Sequence, residues 1–201
     1  MKIHIFGDSH ASNIYSGWKD CTNVISHHLG PILCYSFGKY KLKRCNIKNY
    51  GLKNGDSVIF CFGEIDCRCH IHKYVNNVKS YKIIINVLIN NYIEAIKINI
   101  NKCNIKLKNI CIYNIVPPVQ KHTIIQNEKY PHLGNDEERK KYVLYFNKVL
   151  KKECNKNKWI FFDVYNFYID NNGYLNKKLS DGNVHIKDGI YLEQFINNYL
   201  L

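Results

Sequence analysis

HIFGDSHASN, residues 4–13, carries a strand-like triplet, His4-Ile5-Phe6, straight into Gly7-Asp8-Ser9-His10. In an α/β sheet the strand is buried, and whatever follows its C-terminal end emerges at the sheet edge, where sites form. Two chemistries use such a junction. Ser9 reads as a nucleophile lifted off the strand, whereas Asp8 and His10 read as an Asp-x-His metal pair. The rest of the chain has to choose.

Working outward, five apolar runs bounded by turn residues read as strands: KIHIF (2–6), PILCYSF (31–37), SVIFCF (57–62), KNICIYNIV (108–116) and WIFFDVY (159–165). They are continuous rather than alternating, as parallel strands covered on both faces should be. Between them lie helical patterns. Residues 72–100 place Val75, Val78, Ile85, Leu88, Ile89, Tyr92, Ile93 and Ile96 near helical spacing. NDEERKKYVLYFNKVLKKE (135–153) opens on a capping Asn135 with acids in its first turn and closes on lysines. HIKDGIYLEQFINNYLL ends the chain as a last amphipathic helix. Strand alternating with helix predicts a doubly wound α/β sheet. Residues 1–201 read as one domain, without repeat or linker. The irregular insertion PPVQKHTIIQNEKYPHLG (117–134) is expected to form a loop over a site.

With 201 residues, 46% of them hydrophobic, the chain can bury a core without staples. No apolar run is expected to reach the roughly 18 residues that span a bilayer. The N-terminus lacks the long apolar stretch of a secretory signal, so a cytoplasmic or otherwise intracellular location is expected. Nine scattered cysteines, several inside apolar runs, argue for small buried hydrophobes in a reducing compartment. The net charge of +13 rests on lysine, with Arg44, Arg68 and Arg139 the only arginines. Nucleic-acid surfaces favour Arg forks and a concentrated patch. No specific nucleic-acid partner is therefore expected; the wealth of Asn, Ile, Lys and Tyr points to an AT-rich genome, a protist or a large DNA virus.

Three polar stretches should converge at the C-terminal sheet edge: GDSH, GEIDCRCH (63–70) and SDGNVH (180–185). The metal reading fits them poorly. Metal-dependent phosphoesterases follow Asp-x-His with Gly-Asp and Gly-Asn-His segments. Here GEID would be a distorted second segment, and GNVH inserts a residue between Asn183 and His185. CRCHIH (67–72) lacks the Cys-x-x-Cys pairs of structural zinc sites. No metal and no cofactor are expected.

The nucleophile reading fits better. The Ser9 N–H, near the start of the next helix, points where an oxyanion would form. A serine also needs an imidazole base with an orienting carboxylate. His185, in a Gly-containing loop with Asp181 four residues earlier, is the best placed of nine histidines.

Gly-Asp-Ser near the N-terminus, Gly-x-x-Asp after the third strand and Asp…His near the C-terminus resemble the SGNH/GDSL hydrolase family, in order along the whole chain. The resemblance implies a flavodoxin-like three-layer α/β/α sandwich with a five-stranded parallel sheet. It also implies an enzyme that hydrolyses or transfers acyl esters, often acetyl groups on carbohydrate. Carried over, Ser9 is the nucleophile, His185 the base and Asp181 its partner. Gly38, in YSFGKY, stands for the second-block glycine whose N–H joins Ser9 in the oxyanion hole.

Two departures stand out. The family's third block has an Asn that donates to the oxyanion, and Ile65 occupies its place. Asp and His of the last block are usually three apart, not four. Arg68 is the candidate replacement donor, held by Glu64 or Asp66; the alternative is a structural ion pair with those acids. Asp8, Glu64 and Asp66 are taken as supporting the site. His10 is read as touching the site or capping the first turn, His122 and His132 as substrate contacts or solvated side chains, and Tyr113, Tyr130 and Tyr174 as possible sugar-stacking rings. The expected activity is a serine esterase releasing acetyl or other short acyl groups from carbohydrate. An O-acetyltransferase with the same triad and a non-catalytic glycan-binding module are the alternatives. The substrate is the expected partner; the sequence does not give an oligomeric state.

Overall fold

The computed structural model describes residues 1–125 and 127–201. Its five strands are β1 (Ile3–Gly7), β2 (Val24–His28), β3 (Ser57–Cys61), β4 (Ile110–Tyr113) and β5 (Ile160–Phe162), all parallel, in the order β2-β1-β3-β4-β5. The helices are α1 (Cys34–Tyr40), α2 (Ile71–Tyr74), α3 (Tyr81–Cys103), α4 (Asp136–Asn157) and α5 (Ile190–Tyr199). This is the three-layer α/β/α arrangement expected.

The pleat sends alternate side chains to opposite faces, and each face has its own core. Phe6, Val58, Phe60 and Ile112 meet Phe37 of α1, Ile85 and Ile89 of α3, and Phe146 of α4. Ile3, Ile5, Ile59, Cys61, Cys111 and Phe162 meet Trp18 together with Leu192 and Ile196 of α5. Both faces are covered, which is why the strands read as unbroken apolar runs.

One strand was misplaced. PILCYSF is not a strand: its second half is the start of α1, and Ile32, Cys34 and Phe37 are buried at one side of that helix. The second strand is VISHH, at the sheet edge. Paired only with β1 and half exposed, it has no need of a continuous apolar run. All nine cysteines are buried free thiols.

The expectation that no apolar stretch reaches bilayer length also needs correction. By length and composition alone α3 is long and apolar enough to cross a membrane. In this fold its apolar side lies in the core through Ile85, Leu88, Ile89, Tyr92, Ile93 and Ile96. α4 begins as expected, with a complete capping box between Asn135 and Glu138.

The strand order reverses between β1 and β3, and in sheets of this order that crevice is where ligands bind. Ser9 follows β1, and Glu64 to Arg68 follow β3. The fold therefore delivers two of the three polar stretches to the switch point.

Candidate active site

The turn that carries Ser9 is fixed from below. β1 ends at Gly7, where a Cβ would stand 2.1 Å from the Cys61 carbonyl oxygen of β3, so only glycine lets the two strand ends close up. Asp8 then caps a 3-10 turn over Ser9–Ala11, its Oδ1 accepting from the His10 N–H at 2.9 Å. Burial pushes the Asp8 carboxyl well above the usual carboxylate range. The capping Asp8 supports the turn, and His10 is in that turn rather than opposite Asp8 as a second metal ligand.

Half-buried Ser9 meets the C-terminal loop across 176 residues of sequence. Its Oγ lies 2.9 Å from His185 Nε2, and His185 Nδ1 lies 2.7 Å from Asp181 Oδ2. The carboxylate fixes the tautomer: Nδ1–H donates to Asp181, which leaves Nε2 to accept from the Ser9 hydroxyl. The extra residue in DGNVH is absorbed within the loop. Asp181 Oδ1 accepts from the N–H groups of Asn183 and His185, and an antiparallel bridge joins Ser180 to Ile186. Burial works against the Asp181 charge, but the hydrogen bonds from His185 and Asn183 hold its carboxyl below the ordinary value.

Behind the imidazole is a second charged cluster. Arg68 grips Glu64 with both ends of its fork, Nε at 2.7 Å and Nη2 at 3.1 Å, and Nη1 donates to the Tyr130 carbonyl at 2.7 Å. Burial alone would raise the Glu64 carboxyl; Arg68 and His10 instead hold it far below the usual range. His10 Nε2 is 3.3 Å from Glu64 Oε2, within ion-pair range, and its ring lies 4.7 Å from that of His185. Burial lowers the His10 pKa, against the pull of Glu64.

Asp66 does not join this cluster. Its carboxylate accepts from the N–H groups of Cys34 and Tyr35, at 2.6 and 3.1 Å, and so anchors the start of α1. Burial pushes it up to about 7 against those bonds. Of the two acids considered for Arg68, only Glu64 holds it.

Gly38 is not at the site. It is the fifth residue of α1, where its N–H belongs to the helix ladder. A Cβ there would stand 3.0 Å from that of Asn91, so the glycine serves the close approach of α1 to α3. The misplaced second strand and the misplaced oxyanion donor are one error.

The cavity over Ser9 measures about 330 Å³ and is lined by Tyr15, Ile65, Arg68, Tyr130, Asn183 and His185 among others. The 117–134 insertion does overhang it, through Ile125, Asn127, Tyr130 and His132; Gln126 lies outside the described residues. His132 is buried and, chiefly through burial, has its pKa lowered to about 4, whereas His122 is exposed and elsewhere. Tyr113 and Tyr174 are buried, so of the three candidate stacking rings only Tyr130 lines the cavity. Sequence reasoning missed Tyr15, whose half-exposed ring stacks on His185 at 5.7 Å. Nothing in its neighbourhood distinguishes it from fifteen other tyrosines. CRCHIH does not form a metal cluster: Cys67 and Cys69 point into the protein, and His72 bonds the Tyr142 hydroxyl at 3.1 Å. Among the described residues no group of three His, Cys, Asp or Glu could hold a metal ion.

This architecture is shared with solved structures. A GDSL-like lipase from Bacteroides thetaiotaomicron superposes with a TM-score of 0.66 at 12% identity, covering 98% of this chain and 86% of its own. An aryl esterase from M. smegmatis gives 0.61 at 13% identity, covering 99% of both chains. The chain has the SGNH/GDSL hydrolase fold. A catalytic mutant of an acetylxylan esterase from Geobacillus stearothermophilus has this fold too, with a TM-score of 0.57 at 12% identity over 98% of this chain and 92% of that one. No protein-family model and no curated protein matches the sequence. The SGNH/GDSL likeness therefore lies in the backbone and in the order of the short polar blocks.

Proposed function

We propose that this protein is a serine carboxylic ester hydrolase that removes acetyl or other short acyl groups from carbohydrate. The observation that carries the reading is the continuous chain Asp181–His185–Ser9, at 2.7 and 2.9 Å, opening into a cavity at the switch point of an SGNH/GDSL fold. The esterases and lipases that share this fold support the reaction class, and the acetylxylan esterase among them supports the sugar ester.

In this mechanism Ser9 Oγ attacks the ester carbonyl carbon as its proton passes to His185 Nε2. The imidazolium is stabilised by Asp181, and the carbonyl oxygen becomes an oxyanion. The C–O bond to the sugar then breaks, and the departing alkoxide takes the proton from His185. Water attacks the acyl-Ser9 carbonyl, again losing its proton to His185. Collapse releases the carboxylic acid and returns the proton to Ser9.

The oxyanion needs donors, and Gly38 is too distant in role to be one. The Ser9 N–H opens its turn without a partner among the described residues. Arg68 lines the same cavity with its guanidinium held rigid by Glu64, and it serves as the second donor in place of the amide missing at Ile65. A cation fixed by a carboxylate acts without reorganising as charge develops.

Hydrolysis of 4-nitrophenyl acetate, measured for wild type and Ser9→Ala with EDTA present, tests the reading. Turnover that survives EDTA and disappears with Ser9 is the expected result. Turnover that EDTA abolishes, or that is indifferent to Ser9, refutes it.

A further inference from the structure

Next to the Ser9 cavity lies a larger cleft of about 520 Å³, lined by Gln120, Asn176, Lys177, Lys178, Ser180 and Asn183 among others. Asn183 lines both spaces, so the cleft borders the cavity. Its near wall, Ser180, Gly182 and Asn183, belongs to the loop that carries Asp181 and His185. In serine acyl transfer the imidazole returns its proton to the departing alcohol, so the alcohol must leave on the imidazole's side of the serine. The cleft is bounded by the loop that carries this imidazole.

Its lining is mixed, with Val119, Ile124 and Leu175 beside amide and hydroxyl groups, and its charge is positive on balance, two lysines against Asp170. Amide and hydroxyl side chains suit a polyhydroxylated chain. Lys177 and Lys178 are both exposed on a 3-10 turn capped by Asn176. The lysine ion pairs among the described residues involve Lys41, Lys140, Lys151 and Lys156, and leave these two unpaired. The one carboxylate in the lining, Asp170, turns Oδ1 to the N–H groups of Asn172 and Tyr174. An unpaired ammonium pair beside hydroxyl-binding groups favours an anion carried on a sugar chain.

We propose that this cleft holds the glycan chain of the leaving alcohol and selects chains bearing anionic groups, carboxylate or phosphate, through Lys177 and Lys178. The assignment to the leaving group rests on the esterase reading, but the binding does not, and the two are tested separately.

Binding is read by titration calorimetry on the full-length Ser9→Ala protein at low salt. The probes are polygalacturonate for carboxylate, phosphorylated starch for phosphate, and mannan as the neutral chain. At least one charged polymer is expected to bind about tenfold more tightly than mannan, and which one identifies the anion. Lys177→Glu/Lys178→Glu should erase that preference. The charge-matched Lys148→Glu/Lys152→Glu on α4, which lines neither the cleft nor the cavity, should retain most of it. Equal binding of all three polymers, or equal loss in both double variants, overturns the proposal in favour of diffuse attraction by the basic surface.

Turnover supplies the second arm. With otherwise wild-type protein, the ratio of kcat/KM on the acetylated form of the favoured charged polymer to that on acetylated mannan should be about ten, and should fall towards one in Lys177→Glu/Lys178→Glu. A Ser9-dependent esterase whose ratio is one in the wild type refutes the cleft alone. Absence of Ser9-dependent hydrolysis of 4-nitrophenyl acetate refutes the reaction, and with it the leaving-group assignment, while calorimetry still decides the binding.

Discussion

An acid–imidazole chain lies at each end of the central strands. At the C-terminal ends of the strands Asp181 holds His185, which meets Ser9. At the opposite end Asp56, just ahead of β3, lies 3.5 Å from His4 Nε2, and His4 Nδ1 meets His27 Nε2 at 2.9 Å. The parts are alike and the outcomes differ. The second chain ends on another imidazole, stacked against Phe6 and met edge-on by Tyr50. Asp56 is occupied by the N–H groups of Lys2 and Lys53, at 2.7 and 2.8 Å, which tie the starts of β1 and β3. An acid beside a histidine is thus not a site. What marks the first as a candidate site is a serine hydroxyl at its far end, a cavity over it, and a position at the C-terminal ends of the strands.

Breaking the first chain should have the largest effect. Ser9→Ala is expected to lower kcat/KM on 4-nitrophenyl acetate by about 10⁴-fold or more. Asp181→Asn comes next. The amide cannot hold the His185 tautomer, but Asp181 keeps part of its surface in water, so a loss of about 10²–10³-fold is expected, below that of a fully buried triad acid. Arg68→Ala should cost about 10²-fold in kcat with a smaller change in KM, as removal of one oxyanion donor does. A drop of only a few-fold would return Arg68 to a purely structural pair with Glu64.

The second chain should register in stability instead. Asp56→Ala is expected to lower the unfolding free energy by about 2 kcal/mol, because two backbone donors lose their acceptor. Steady-state turnover of the remaining folded protein should stay within about twofold of wild type. The smallest expected effect is its pH dependence. Burial, reinforced by the nearby His4, lowers the His27 pKa to about 4 from the model-peptide value of 6.5. The unfolded chain therefore takes up a proton where the folded one does not, and stability falls as pH drops from 6.5 towards 4, being complete above that window. At pH 5 the loss is about 1 kcal/mol once partial exposure is allowed for. Chemical denaturation of wild type and His27→Gln at pH 7 and pH 5 measures it: the variant should lose less over that interval.

The contrast also explains how far the sequence could be read. Ser9 was legible because Gly-Asp-Ser follows an apolar run, and His185 because a Gly-Asn turn has no need of an imidazole. Asp181 was legible despite its irregular spacing, since a loop can absorb one residue. β2 was not: VISHH pairs on one side only and is half solvated, so its composition carries no strand signature, while the apolar spacing in PILCYSF suits a helix equally well. Gly38 followed that error into the oxyanion hole. Glu64 and Asp66 show the same limit two residues apart, one turned towards Arg68 and the other capping α1.

The sequence by itself determined an α/β sheet of parallel strands and the residue types that meet at its edge, because burial on both faces and the chemistry of turns leave marks within short windows. Only the tertiary structure decided which strand lies at the edge, which acid holds Arg68, that Tyr15 covers His185, and that a cleft bearing two lysines borders the cavity. Those depend on side chains meeting across as many as 176 residues of chain, as Ser9 and His185 do, and no local pattern encodes such a meeting.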